Sequence, residues 1–151
     1  MKKIITITLL FVGLFSFAQP PLNGKMRDKI KAQKATFITD KLSLTTEEAE
    51  KFWPIYNAYE EVTQKIKAEY FRPIKRQMRK NGGAISDNEA TRLLDQLMQG
   101  ENKMHAAKVK LVNDLKTAIP AQKIIKLKPA EEAFNRKLLQ RLRNFRENRK
   151  N

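Results

Sequence analysis

The chain is predicted to be all-α, and three features of its 151 residues carry the prediction. Five Gly and six Pro are too few to punctuate a turn-rich β fold, so long uninterrupted elements are expected. Apolar residues recur at the helical interval rather than in alternation. Thr45-Thr46-Glu47-Glu48 and Ser86-Asp87-Asn88-Glu89 each place a hydroxyl three residues before a Glu, at the head of a long apolar ladder. The expected architecture is a long antiparallel helical hairpin with additional N- and C-terminal helices, four helices in the mature chain.

Residues 1–18 read as a secretory signal peptide. Met1-Lys2-Lys3 is positive, residues 4–17 are apolar, and Ser16-Phe17-Ala18 supplies the small residues of a cleavage site between Ala18 and Gln19. The competing reading, an uncleaved membrane anchor, needs about 20 predominantly apolar residues, and the apolar-leaning run 4–17 is only fourteen residues long. With no Cys in the chain a lipid-anchored lipoprotein is excluded. No second apolar run reaches spanning length, so a soluble mature protein in the periplasm is expected. Residues 19–24, with Pro20, Pro21 and Gly24, read as a disordered leader. Residues 25–151 are then a single helical domain.

The first helix, residues 25–42, carries Met26, Ile30, Phe37 and Ile38 on one face and is broken by Ser43-Leu44. The second covers residues 47–80. Its ladder Phe52, Tyr56, Tyr59, Val62, Ile66, Tyr70, Ile74 and Met78 advances by about 3.7 residues per step. Pro54 and Pro73 should bend it or split off its ends. Acids crowd its start and bases its end, as the helix dipole favours. Asn81-Gly82-Gly83-Ala84 is a turn, and a third helix runs from the Ser86 cap to about Thr117. Leu97, Met104, Leu111 and Ala118 stand at heptad spacing along it, beside Leu94 and Leu115. The second and third helices should pair into a hairpin roughly 45–50 Å long. Pro120 suits the first position of a fourth helix. Leu127, Phe134, Leu138, Leu142 and Phe145 continue the pattern, with a kink or break expected at Pro129.

The net charge is +15. Cleavage after Ala18 removes two Lys and no acid, leaving +13, of which +8 falls in residues 116–151. In a cytosolic protein such charge would suggest nucleic acid. An exported protein meets anionic envelope surfaces and unfolded polypeptides instead, so no nucleic-acid partner is expected.

Catalytic and metal chemistry find little support. Without Cys there is no disulfide, thiolate zinc site or Cys nucleophile. His105 is the single imidazole, with only Glu101 one turn away, so neither a zinc triad nor a Ser-His pair is independently supported. Glu47, Glu48 and Glu50 are accounted for by capping, and Glu60-Glu61 by an exposed face. No glycine-rich phosphate loop exists. A non-enzyme without cofactor or metal is expected.

Candidate function therefore lies in surfaces. Phe52, Trp53, Tyr56 and Tyr59, with Tyr70 and Phe71, go more than halfway round their helix, so they serve packing or client contact. Arg72, Lys75, Arg76, Arg79 and Lys80 form a basic stretch able to attract acidic segments. Arg136, Arg141, Arg143 and Arg146 repeat that character in a tail that is also amphipathic. For each charge run a solvated helix face is the plainer alternative.

With the export signal, the absent Cys, the positive charge and Leu44-Thr45-Thr46-Glu47-Glu48 at the head of the long helix, the chain resembles the Spy/CpxP family. That family is recognised by a Leu-Thr-x-x-Gln motif, usually present twice. Here Leu44 and Thr45 are kept and Glu48 replaces the Gln. The second copy is Ala118-Ile119-Pro120-Ala121-Gln122, which keeps Gln122. Residues 44–59, together with 134–143, look like a branch of small exported proteins found beside extracytoplasmic-function sigma factors. The resemblance implies a periplasmic protein whose hairpins pair into an elongated, curved antiparallel homodimer. It also implies an ATP-independent, holdase-type chaperone for unfolded or acidic polypeptides, or a regulatory partner of an envelope sensor. From the residues themselves a third reading stands beside these, a binder of anionic membrane surfaces through the tail.

Overall fold

The computed structural model describes residues 24–80 and 84–148. The expected signal peptide, its Ala18–Gln19 cleavage site and most of the leader lie outside the described residues. The chain is all-α, with no strand among the described residues. It consists of α1 (Gly24–Leu42), α2 (Thr46–Ile66), a π-helical turn (Lys67–Phe71), α3 (Arg72–Lys80), α4 (Asp87–Lys116), a short α5 (Ala121–Ile124) and α6 (Leu127–Glu147). Since α2, the π turn and α3 are continuous and α5 leads directly into α6, these are the four expected helical units.

Helix α1 stops where Ser43 turns to φ 50°. Its N–H donates to the Asp40 carbonyl, and the Leu44 N–H to that of Thr39. This double bond pattern closes the helix with a left-handed residue, a place usually held by Gly. Two residues later the Thr45 capping box starts α2. The Thr45 hydroxyl accepts from the Glu48 N–H, and Glu48 accepts from the Thr45 N–H. The second box forms only by half. The Ser86 hydroxyl caps α4, but Glu89 accepts from Gln77 of α3 and faces Arg92 instead of closing back on Ser86. A tertiary partner outcompetes the local one there.

The prolines act differently from one another. Pro54 is exposed inside α2, where solvent can take up the carbonyl left without a donor, and the helix continues through it. Pro73 cannot donate to the Glu69 carbonyl. The backbone widens just before it, with the Arg72 N–H reaching five residues back to Lys67. Gln96 of α4 supplies the missing donor, its Nε2 standing 3.3 Å from the Glu69 carbonyl and 3.1 Å from that of Tyr70. Pro120 is the N-cap of α5 rather than its first helical residue. The expected break at Pro129 lies upstream, between α5 and α6. Pro129 is the third residue of α6, where an N–H would lack a helical partner in any case.

Helix α4 runs antiparallel to α2–α3. Gln77 meets Glu89, Gln96 meets Tyr70, and Ala107 lies across from Tyr59. At about 1.5 Å per residue its 30 residues give a hairpin of about 45 Å, within the expected length. Helices α1 and α6 form a second antiparallel pair, Phe37 against Phe134 with ring centroids 5.7 Å apart and Gln33 against Arg141. The two pairs join at one end. There Ile38 and Leu42, Phe52 and Tyr56, Leu111, Leu115 and Ile119, and Leu127 and Ala130 form the core.

Two ladder positions depart from expectation. Val62 and Met78 are 46% and 43% exposed, and Thr63 is buried in Val62's stead. The step of 3.7 residues drifts off a 3.6-residue helix, so the buried face passes to Thr63, whose hydroxyl is satisfied by the Glu60 carbonyl. On α4 the buried line is Leu93, Gly100, Leu111 and Leu115, while Leu94 faces solvent.

Candidate functional site

The aromatic cluster divides by accessibility. Phe52 and Tyr56 are sealed in the core and closed to any client, so packing is their role. Their rings stack at 5.4 Å, and Trp53 packs edge-on against both. The Tyr56 hydroxyl donates to Glu131 of α6. Burial first, and then this bond, push its phenol far above the usual tyrosine range. Trp53 is half-buried with its indole N–H on the Thr39 hydroxyl, 3.2 Å away. Tyr59 is half-buried too, its phenol raised by burial and by the carboxylates Glu131 and Glu60, with the Lys108 ammonium 5.8 Å from its ring centre.

The basic stretch is surface throughout. Arg72, Lys75, Arg76, Arg79 and Lys80 are exposed, and α3 buries no residue. None of the five is in an ion pair among the described residues. In the tail Arg136, Arg141 and Arg143 are exposed, while the side chain of Arg146 lies outside what is described. Arg141 and Lys137 border an open cleft of about 420 Å³ between α1 and α6, floored by Phe37, Phe134 and Leu138. Lys41 and Lys137 both lie over the Phe37 ring, at 5.7 and 5.6 Å.

The segment just after the second motif copy meets the first. Lys123, the residue after Gln122, donates to the Glu48 carboxylate and to the Ser43 carbonyl. Gln122 itself is exposed. Glu48 is held below its ordinary value of 4.5, first by the Lys123 bond and then by the Thr45 N–H. Leu44 packs against the core. Glu48 of the first copy is therefore tied to the corner after α4 by Lys123, a structural link in which Gln122 takes no part. Lys123 escaped sequence reasoning because a Lys beside a motif carries no periodic signal.

A further cleft lies between α4 and the α5–α6 corner. It has an apolar floor and three lysines, Lys108, Lys116 and Lys128, at its edge. Its apolar floor belongs to the expected ladders, but none of its three lysines carries a sequence signal of its own, although Lys108, Val112 and Lys116 stand four apart on one helix face.

His105 is exposed on α4, and no group of three or more His, Cys, Asp or Glu among the described residues is placed to hold a metal. No helix among them is long and apolar enough to cross a membrane. Comparison with protein-family models, with curated proteins and with solved structures found no match for this chain.

Proposed function

We propose that this protein is a periplasmic, ATP-independent holdase that binds acidic, partly unfolded polypeptides on basic helical surfaces. The observation that carries the reading is α3. Five exposed cations stand on a nine-residue helix with no fully buried residue, and none of the five makes an ion pair among the described residues, so their charge is not used by the fold. Such a surface raises the local concentration of acidic segments, while half-exposed apolar side chains hold them loosely. Export rests on the pattern of residues 1–18, and the Leu44–Glu48 resemblance points to the same compartment and to a homodimer.

The test is aggregation of a chemically unfolded acidic client with the purified protein. Suppression near stoichiometric ratio is expected, weaker at about 1 M salt, where the screening length falls to about 3 Å. Replacing Arg72, Lys75, Arg76, Arg79 and Lys80 together by Gln should remove most of the salt-sensitive part without changing the fold. No suppression at either salt would reject the holdase reading. A single saturable envelope partner in crosslinked pull-downs would then favour the regulatory one.

A second reading has its own observation. On α6, Leu142 and Phe145 are 47% and 63% exposed beside Arg141 and Arg143. This basic amphipathic end suits the interface of an anionic membrane. Co-sedimentation with vesicles that rises with their anionic lipid fraction supports it, and binding that ignores lipid charge rejects it.

A further inference from the structure

The cleft between α4 and the α5–α6 corner has a volume of about 350 Å³. Leu111, Leu115 and Leu127, all core residues, form its floor. One lip is Ile125, which sits in the break between α5 and α6 and is 77% exposed, the most exposed large apolar side chain described. No carboxylate lines the cleft, and none of its three lysines is in an ion pair among the described residues. An apolar slot with cations at its edge and no anion is complementary to an apolar group carrying negative charge.

The spacing of the edge narrows the occupant. Lys108, Val112 and Lys116 lie one below another on α4, about 6 Å apart along the axis. In an extended peptide every second side chain points the same way, and such neighbours are about 6.6 Å apart. An acidic residue, a large apolar residue and a second acidic residue at positions i, i+2 and i+4 would therefore match Lys108, the slot and Lys116 in turn. Lys128 faces the same slot from α6. A fatty acid presents its charge at one end only, whereas here cations flank the slot at both ends of the α4 edge.

We propose that this cleft binds extended polypeptide segments of the pattern acid–x–apolar–x–acid, the apolar side chain entering the slot. The proposal rests on the client-binding reading above and adds to it a register that a merely basic surface would not have.

The test uses the purified protein and labelled Ser-rich peptides centred on Glu-Ser-Leu-Ser-Glu, with affinity read by fluorescence anisotropy. A peptide of identical composition with both Glu moved to one side of Leu should bind about three- to tenfold more weakly, and one with Leu replaced by Ser at least tenfold more weakly. Ile125→Ser and Lys116→Gln, both at exposed positions, should each weaken the patterned peptide severalfold at unchanged thermal stability. The α3 Gln variant should weaken the patterned and shifted peptides alike, leaving the ratio between them as in the parent.

Equal affinity for the patterned and shifted peptides would overturn the proposal, as would indifference to both cleft substitutions. Sodium dodecanoate displacing no peptide but itself binding at Ile125 would reassign the slot to single-chain amphiphiles. Loss of a dimer on Ile125→Ser would reassign it to a subunit contact. Aggregation assays report separately on the holdase reading. Suppression with no register preference removes the cleft alone, and register preference without suppression removes the holdase alone.

Discussion

Gly100 sits on the buried face of α4, opposite the π turn, and its replacement by Ala sets two effects of known size against each other. Ala is the better helix former by about 0.8–1 kcal/mol. Its methyl group would stand 2.8 Å from Cβ of Tyr70 and 2.9 Å from Cζ of Phe71. Carbon atoms pack comfortably at about 3.5–4.0 Å. The Phe71 ring edge can swing away, but Cβ of Tyr70 is tied to a backbone whose carbonyl Gln96 holds from α4 itself. Relief therefore requires α4 and the π turn to separate, which loosens the Gln96 bonds as well. Overpacking of this kind costs about 1–3 kcal/mol. The balance is a protein less stable by about 1 kcal/mol, or about 3–5 °C in Tm for a domain of this size. Urea and thermal unfolding followed by far-UV circular dichroism measure both. A Gly100→Ala protein stabilised by the full helix-propensity gain would refute the reasoning, because it would mean that the π turn does not approach α4 this closely.

Three further predictions concern the joints of the fold. Ser43→Gly should raise stability by about 0.5–1 kcal/mol, since a left-handed residue is then no longer strained and the Ser43 carbonyl still receives Lys123; urea midpoints of the two proteins decide it. Gln96→Leu strips the Glu69 and Tyr70 carbonyls of their side-chain donor, costing about 1 kcal/mol. Amide exchange should speed up in residues 67–75 and not at the core end of the hairpin. Lys123→Met removes the bond to the Ser43 carbonyl, again about 1 kcal/mol, and frees Glu48 to return toward its ordinary value of 4.5. Because the folded state holds the Glu48 carboxyl low, its contribution is complete above about pH 4.5 and is lost as pH falls through the depressed value. Unfolding midpoints of Lys123→Met should therefore fall less steeply on acidification below that pH than those of the parent, and parallel acid limbs would contradict this.

The elements were legible because their signals are local. Thr45 and Glu48 stand three apart and close on each other whatever surrounds them, and Ser86 caps α4 by the same local means. Glu89 shows where such reading stops. It obeys the sequence rule for a capping box and yet turns to Gln77, a residue twelve positions away that only the hairpin brings near. Pro73 could be flagged as a disturbance of the long helix, but its form, a π turn stitched to Gln96, depends on what α4 presents at that level.

The candidate surfaces divide along the same line. An exposed charge needs no partner to stay exposed, so the basic run 72–80 stood where its composition placed it. The aromatic run could not be resolved in advance, since six large rings around one helix fit a core or a client surface equally well. Helices α1 and α6 decided it by covering Phe52 and Tyr56.

What the amino-acid order determined alone is the all-α class, the helix starts, the antiparallel hairpin and the distribution of charge, because periodicity, capping and net charge act within a few residues. What the tertiary structure decided is which face of each helix is buried, the meeting of Lys123 with Glu48, and the lysine-edged cleft at the α4–α5–α6 corner. These are contacts between residues far apart in the chain, and their existence depends on how two helical pairs dock. No local rule contains that information.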